Sequence, residues 1–315
     1  MMSAVRVCFL GTPDFAALHL QTLLINSQFE VVGVVTQPDR PAGRKMQFMS
    51  SPVKTLALSR NIPVITPENL RKELEAFETI KSWKAEVAVV VAFGQILSTE
   101  FLNSFIYGAV NVHGSLLPLW RGAAPIQRSI QAGDQVTGVA LQKMVFKLDA
   151  GPVIGERRIQ LNETITASQL YSRLAVLGCQ LLEVELMDYI RGNLAPIEQD
   201  EAQVTIAPKI LKEESLLNFR TPAKLLHNTV RGFNLGPGTY AIFRGKRLKI
   251  HETFYTKIDS NLPPGFISNI SDEGLFIQTS SGQLILKTVQ PESKNKMSSH
   301  DFLKSVSVKR GEAFV

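Results

Sequence analysis

The sequence predicts a two-domain chain: an α/β unit built on a helix-covered parallel sheet, followed by a small β-barrel or sandwich. Three observations carry this reading. Residues 4–36 run strand, turn, helix, strand, which is the opening of a βαβ unit. Beyond residue 206 the pattern changes to short alternating segments divided by turn signals. A length of 315 residues is enough for two cores of ordinary size.

Residues 4–10 (AVRVCFL) are β-branched and apolar, as in a buried strand, and run into GTPDF. Thr12 is expected to cap the next helix, with Pro13 in its first position, where no N–H is needed. That helix should run to about Ser27. A second strand follows at 30–36, then strands at 62–65, 86–92 and 108–113, with helices over 52–60, 67–82 and 123–132. Residues 137–146 and 152–160 read as strands joined through KLDAG. A long helix over 167–190 carries Leu170, Leu174, Leu177, Leu181 and Leu182 on one stripe. The polar, Pro-containing stretch 191–206 reads as a linker. The expected domains are therefore 1–190 and 207–315. The second should hold a helix at 221–231 and strands at 238–243, 246–254, 264–269, 274–279 and 283–289.

Composition removes several classes. With 44% apolar and 20% charged residues the chain is neither disordered nor collagen-like. The longest apolar runs, such as 86–93, are too short to span a bilayer, and residues 1–10 do not form a secretory signal. No membrane partner is expected, and a cytoplasmic location is the simplest reading. Cys8 and Cys179 are too few for a disulfide framework, and the five His are scattered, so no metal site is expected. The net charge of +6 is uneven. From Gln203 onward 16 Lys and Arg face 9 Asp and Glu, a balance of +7, while the first 202 residues balance at −1. A basic domain beside a neutral one points to a polyanionic partner, with nucleic acid the usual one. Five short strands with a basic surface fit an oligonucleotide-binding type of barrel.

The GTPDF turn lacks the second and third glycines of a dinucleotide fingerprint and reads as a tight strand-to-helix turn. The richest segment is 108–128, GAVNVHGSLLPLWRGAAPIQR. Asn111 and His113 lie two apart at the end of an apolar strand, so their side chains share a face. Polar groups at the carboxyl end of a parallel strand stand where open α/β sheets bind ligands. Gly114 and Pro118 shape the loop beyond them. Asp149, in KLDAGP, is an ordinary turn residue unless the fold brings it to His113. Together, an amide, an imidazole and a carboxylate suit acyl transfer: Asn and His donate to an oxyanion, and Asp orients the His. Ser115 sits in no nucleophile elbow, which favours direct transfer to an external nucleophile. The loop 36–54 holds Arg40, Arg44, Lys45 and Lys54 between Pro and Gly, as a clamp for a polyanion would.

These residues resemble the folate-dependent formyltransferase family, and within it the methionyl-tRNA formyltransferases. The matching segments are 9–16, 36–44, 50–54, 89–97, 111–128 and 148–151, with 206–214 and 231–240 in the second domain. The resemblance implies a Rossmann-like first domain and an OB-type barrel. It implies transfer of the formyl group of 10-formyltetrahydrofolate to the α-amine of initiator methionyl-tRNA, without a metal, and a monomer is the expectation. By position, Asn111, His113 and Asp149 would be catalytic. Ser115, Leu116, Leu117 and Pro118 would line the tetrahydrofolate site, with Phe93, Gly94, Ile96 and Leu97 near the pterin. Arg40, Arg44 and Lys45 would meet the tRNA. Two departures stand out. KMQFM follows Arg44 where the family usually has Gly and two lysines, and Gly236 replaces a usual Trp, so a local packing change is expected there.

Overall fold

The computed structural model describes residues 4–42 and 47–315. They divide into two compact units. The first runs through Gly122 and takes in Thr137–Ile159 and Tyr171–Ile206; the second joins Ala123–Val136 and Gln160–Leu170 to Ala207–Val315.

As far as residue 190 the elements are β1 (Val5–Gly11), α1 (Asp14–Ile25), β2 (Phe29–Val35), β3 (Arg40–Ala42), β4 (Gln47–Met49), α2 (Pro52–Ser59), β5 (Val64–Ile65), α3 (Leu74–Ser82), β6 (Val87–Val91), α4 (Thr99–Leu102), β7 (Ala109–His113), β8 (Arg121–Gly122), α5 (Pro125–Ala132), β9 (Val136–Lys143), β10 (Val153–Gln160) and α6 (Ala167–Ile190). Seven strands form the main sheet in the order β10-β9-β7-β6-β1-β2-β5. Strands β5, β2, β1, β6 and β7 run parallel, and β9 joins antiparallel to β7. Both faces are covered, which is why the strands read as near-continuous apolar runs. On one face Cys8, Leu10, Val35, Ala88, Val90 and Ala109 pack with Phe77, Ile80, Phe101 and Phe105. On the other, α6 approaches so closely that a Cβ at Gly178 would press on Val112 and His19.

Two local expectations are corrected. Thr12 does not cap α1, whose N-cap is Pro13 with no side-chain bond. The Thr12 hydroxyl instead donates to the carbonyl of Phe93 (3.4 Å) and accepts from the backbone N–H of Gln37, tying together the ends of β1, β2 and β6. Helix α3 starts at Leu74, not at 67, because side chains take up the preceding backbone N–H groups. Glu73 accepts from Asn69 N–H and Asn69 from Arg71 N–H, and such side-chain turns compete with a helix.

The second unit adds β11 (Ile206–Ala207), α7 (Ala223–Gly232), β12 (Thr239–Phe243), β13 (Lys246–Thr256), β14 (Ile267–Ser271), β15 (Gly274–Gln278), β16 (Gln283–Pro291), β17 (Met297–Ser298) and α8 (Ser299–Ser305). Its sheet is antiparallel, in the order β12-β13-β16-β15-β14, with β17 on β16. The C-terminal residues close it: Phe314 bridges to Phe243 on one edge, and Ala313 bridges to Phe266 beside the other. The result is a barrel around Leu226, Ala241, Leu248, Ile250, Ile277, Leu284 and Leu286. Arg231, buried on α7, holds the outlying segments. Its guanidinium donates to the carbonyls of Asn162, Ile165 and Ile130 and to Asn228 Oδ1, and burial lowers its pKa. Gly236 lines an open pocket of 560 Å³ with Lys209 and Lys212, and a Cβ there would touch nothing within 4 Å.

His19 is fully buried in the first unit. Its Nδ1–H donates to the Phe15 carbonyl (2.7 Å), which leaves Nε2 facing apolar neighbours with no partner. Burial pushes its pKa down to about 4. An unfolded His near 6.5 then binds a proton that the folded state refuses, so stability falls as pH drops from 6.5 to 4 and is flat above. The expected loss is about 3 kcal/mol. Denaturant midpoints measured across that window for wild type and His19→Gln check this, the variant showing the shallower slope.

Candidate active site

The register of β7 builds the site. Val112 faces α6 and Ala109 faces the opposite core, so Asn111 and His113 share the Ala109 face. Across the antiparallel pairing Asn111 stands opposite Gln142, and His113 opposite Ala140. Gln142 Nε2 donates to Asp149 Oδ1 (3.2 Å), and Asp149 Oδ2 lies 3.7 Å from His113 Nδ1. The fold thus brings Asn111, His113 and Asp149 to one place at the carboxyl end of the parallel strands. Asn111 and His113 are buried, at 9% and 6% exposure, so charge there meets little water.

The turn that delivers Asp149 is tightly fixed. Asp149 has φ +47, a left-handed conformation that Asp tolerates better than most residues. A Cβ on Gly151 would collide with the Lys143 carbonyl, so only glycine lets the turn close on β9. The Gly122 N–H donates to Asp149 Oδ2 (2.9 Å), so both carboxylate oxygens are held. At 3.7 Å the imidazole is a close neighbour of the carboxylate, not a hydrogen-bond partner. His113 Nε2 is 3.0 Å from the Trp120 carbonyl. A carbonyl only accepts, so Nε2 carries the proton in this state. Trp120 is itself at φ +59, and its N–H donates to Thr205 Oγ1.

The remaining expected residues divide between the loop after β7, the core and the surface. Ser115 is fully buried, and its hydroxyl donates to the Leu119 carbonyl (2.6 Å), shaping the loop from within. Leu117 is buried and precedes a cis peptide to Pro118, while Leu116 packs against Gly138. Phe93 and Leu97 are core side chains, whereas Gly94 and Ile96 are exposed just beyond β6. Arg40 is exposed on a short hairpin and pairs with Glu68 (2.8 Å). Arg44 and Lys45 lie outside the described residues. Among the described residues no cluster of His, Cys, Asp and Glu could hold a metal ion, and no helix is long and apolar enough to cross a membrane.

Sequence reasoning missed a polar layer behind the centre: Gln142, Arg121, Gln199 and Glu201. Arg121 is buried and donates to Gln199 Oε1 (3.0 Å) and Glu201 Oε1 (2.9 Å). Lys147 reaches the other Glu201 oxygen (2.7 Å). Hydrogen bonds from Arg121 and then Lys147 hold the Glu201 carboxyl down to about 2. Only Gln142 left a usable signal, a polar residue inside an apolar strand.

Residues 5–185 match the formyl transferase family, and residues 209–307 match the formyl transferase C-terminal domain. A methionyl-tRNA formyltransferase of Bdellovibrio bacteriovorus is 55% identical over 314 residues, covering 99% of both chains. The chain belongs to the methionyl-tRNA formyltransferase family. The Bacillus subtilis family member is 40% identical over 308 residues, covering 98% of this chain and 96% of its own. Among solved structures, the fold is shared with an N-formyltransferase from Helicobacter canadensis, in complex with folinic acid and dTDP-3-aminofucose. That match has a TM-score of 0.67 at 19% identity and covers 91% of this chain and 99% of the other. HypX from Aquifex aeolicus, in complex with tetrahydrofolic acid, matches at TM-score 0.59 and 18% identity, covering 96% of this chain and 47% of its own.

In this formyl transferase the Asp149 turn depends on glycine at 151. Gly151→Ala should displace the turn and destabilise the first unit by about 1–3 kcal/mol. Turnover should fall more than in a Gly192→Ala control, where a Cβ meets nothing within 4 Å and the cost is only that of a left-handed backbone, φ +74. Thermal melting and steady-state rates of the two variants check this.

Proposed function

We propose that the chain transfers the formyl group of 10-formyltetrahydrofolate to the α-amine of initiator methionyl-tRNA, at the site where Asn111, His113 and Asp149 meet. The observation that carries this reading is the Asp149 carboxylate, fixed 3.7 Å from the imidazole of His113 on the face that His113 shares with Asn111. The aminoacyl amine attacks the formyl carbon on N10. A C–N bond forms as the carbonyl π pair moves to the formyl oxygen, giving a tetrahedral intermediate. The Asn111 carboxamide and His113 Nε2–H donate to that oxyanion, each contributing on the order of 3 kcal/mol. His113 trades the Trp120 carbonyl for the oxyanion at this stage. Asp149, or a water it holds, takes the proton from the attacking amine and returns it to N10 as the C–N10 bond breaks. No covalent enzyme intermediate and no metal enter this scheme.

Ser115–Pro118 shape the floor of the folate site through the loop they stiffen, and Gly94 and Ile96 offer the open edge beside it. Arg40, Arg44 and Lys45 contact the tRNA, together with the basic second unit. The +7 balance of residues 203–315 suits a phosphate backbone, and a cytoplasmic reaction accords with such a partner. The chain acts as a monomer in this scheme. A sugar-nucleotide or purine-precursor acceptor would use the same three residues but would not need that charge.

Two measurements test the reading. Asp149→Ala and His113→Ala should each lower kcat by about 10²–10³-fold with tRNA affinity little changed. Wild-type turnover in Asp149→Ala would remove its catalytic role. Affinity for initiator tRNA should drop at least about tenfold over a fourfold rise in salt, because phosphate contacts release counterions. A salt-independent affinity would exclude the basic unit from binding.

A further inference from the structure

Gln199 lies between the two matched family ranges, in the stretch 191–206 whose composition reads as a connector. Its side chain is half-buried, and its carboxamide faces inward against the turn that carries Asp149. Nε2 donates to the carbonyls of Asp149 (2.8 Å) and Gly151 (2.6 Å). Oε1 accepts from Arg121 Nε (3.0 Å). Chemistry fixes the orientation of the amide. Arg121 can only donate and the two carbonyls can only accept, so only one arrangement of the amide oxygen and nitrogen satisfies all three.

We propose that Gln199 is a positioning residue: it clamps the 149–151 turn and so fixes where the Asp149 carboxylate stands relative to His113. This rests on the assignment of Asp149 above. The Asp149 side chain has its own bonds from Gly122 N–H and Gln142 Nε2, but these set only its rotamer relative to the turn. The turn itself is held by β9 on one side, where Lys143 N–H donates to the Pro152 carbonyl (2.9 Å). On the other side Gln199 bonds two carbonyls two residues apart, one of them that of Asp149, whose backbone is left-handed. Arg121 pulls the carboxamide into register and is itself anchored by Glu201, which Lys147 from the same turn region also grips. The ring of contacts therefore closes from residue 147 through 201, 121 and 199 back to 149. Gln is needed because a carboxylate in its place keeps the Arg121 bond but loses both donors, and an apolar isostere loses everything.

The test uses the full chain with Gln199→Glu and Gln199→Met, each alone and combined with Asp149→Ala. Formyl transfer gives kcat and the KM of each substrate, and hydrogen exchange follows the amides of 147–151. In both single variants kcat should fall about ten- to hundredfold, as a small misplacement of a reacting group does, with each KM within about twofold of wild type. Exchange at 147–151 should quicken, and Gln199→Glu should stay folded through its Arg121 bond but melt below wild type, because its carboxylate faces two carbonyls. In the Asp149→Ala background neither change should lower kcat further. Wild-type kcat in the folded single variants overturns the proposal, as does an equal loss with and without Asp149. Should one variant fail to fold, the other carries the same readings. If Asp149→Ala alone keeps full turnover, the catalytic assignment falls, and the exchange data then decide separately whether Gln199 holds the turn.

Discussion

An acid side chain facing an imidazole at the end of an apolar sheet has to be held in place by polar partners, and this chain supplies them to both carboxylate oxygens of Asp149. One oxygen accepts from the backbone of Gly122 and the other from Gln142. The turn behind it is closed by a glycine that β9 leaves no room to replace. An unsatisfied carboxylate in this half-dry position would be costly, because a buried charge needs hydrogen bonds as well as a counter-charge. The rest of the first unit follows from that need. Strand β9 has to lie antiparallel beside β7 so that Gln142 meets Asn111, and the connection from β7 has to double back so that Gly122 reaches Asp149.

The second unit answers a different requirement, which is to keep a basic barrel folded. Its charge stays on the outside while one cation, Arg231, goes inside with backbone carbonyls and an Asn amide in place of a carboxylate. Such a group costs desolvation, which lowers its pKa, but five donors in a fixed fork can organise three segments at once. That is why residues 123–136 and 160–170 group with the barrel even though the chain reaches them long before residue 207. A sequence read in order has no means of seeing this.

Elements with strong local signals were legible. The apolar runs at β1, β6 and β7, the leucine stripe of α6 and the turn-divided strands of the barrel all lie within a few residues of their expected places. So were Asn111 and His113, since period-2 alternation at a strand end is a local property. Asp149 could be named but not placed, because a turn Asp becomes something more only through a contact with His113, 36 residues earlier. The partners of Asp149 were illegible for the same reason. Gln199 sits in a polar, Pro-containing stretch whose composition says connector, and nothing in that composition distinguishes a solvated amide from one gripping two carbonyls. Thr12 illustrates the reverse error. Its position before Pro13 is what a helix cap looks like, yet the tertiary bond to Phe93 outcompeted the local one.

The separation of charge between the units has a consequence for how each can vary. In the proposed reading a polyanion is held by many weak, screened contacts, so fewer lysines after Arg44 would weaken that binding gradually. The proposed reacting centre would have no such redundancy. His113 Nε2 has one proton to offer and currently offers it to the Trp120 carbonyl, and a carbonyl held there by a left-handed backbone leaves only when a stronger acceptor arrives. A developing oxyanion is such an acceptor, because a charged partner roughly doubles the strength of a neutral hydrogen bond. On the proposed mechanism the exchange would favour the transition state over the resting enzyme, which is the condition under which a donor accelerates a reaction instead of merely binding its substrate.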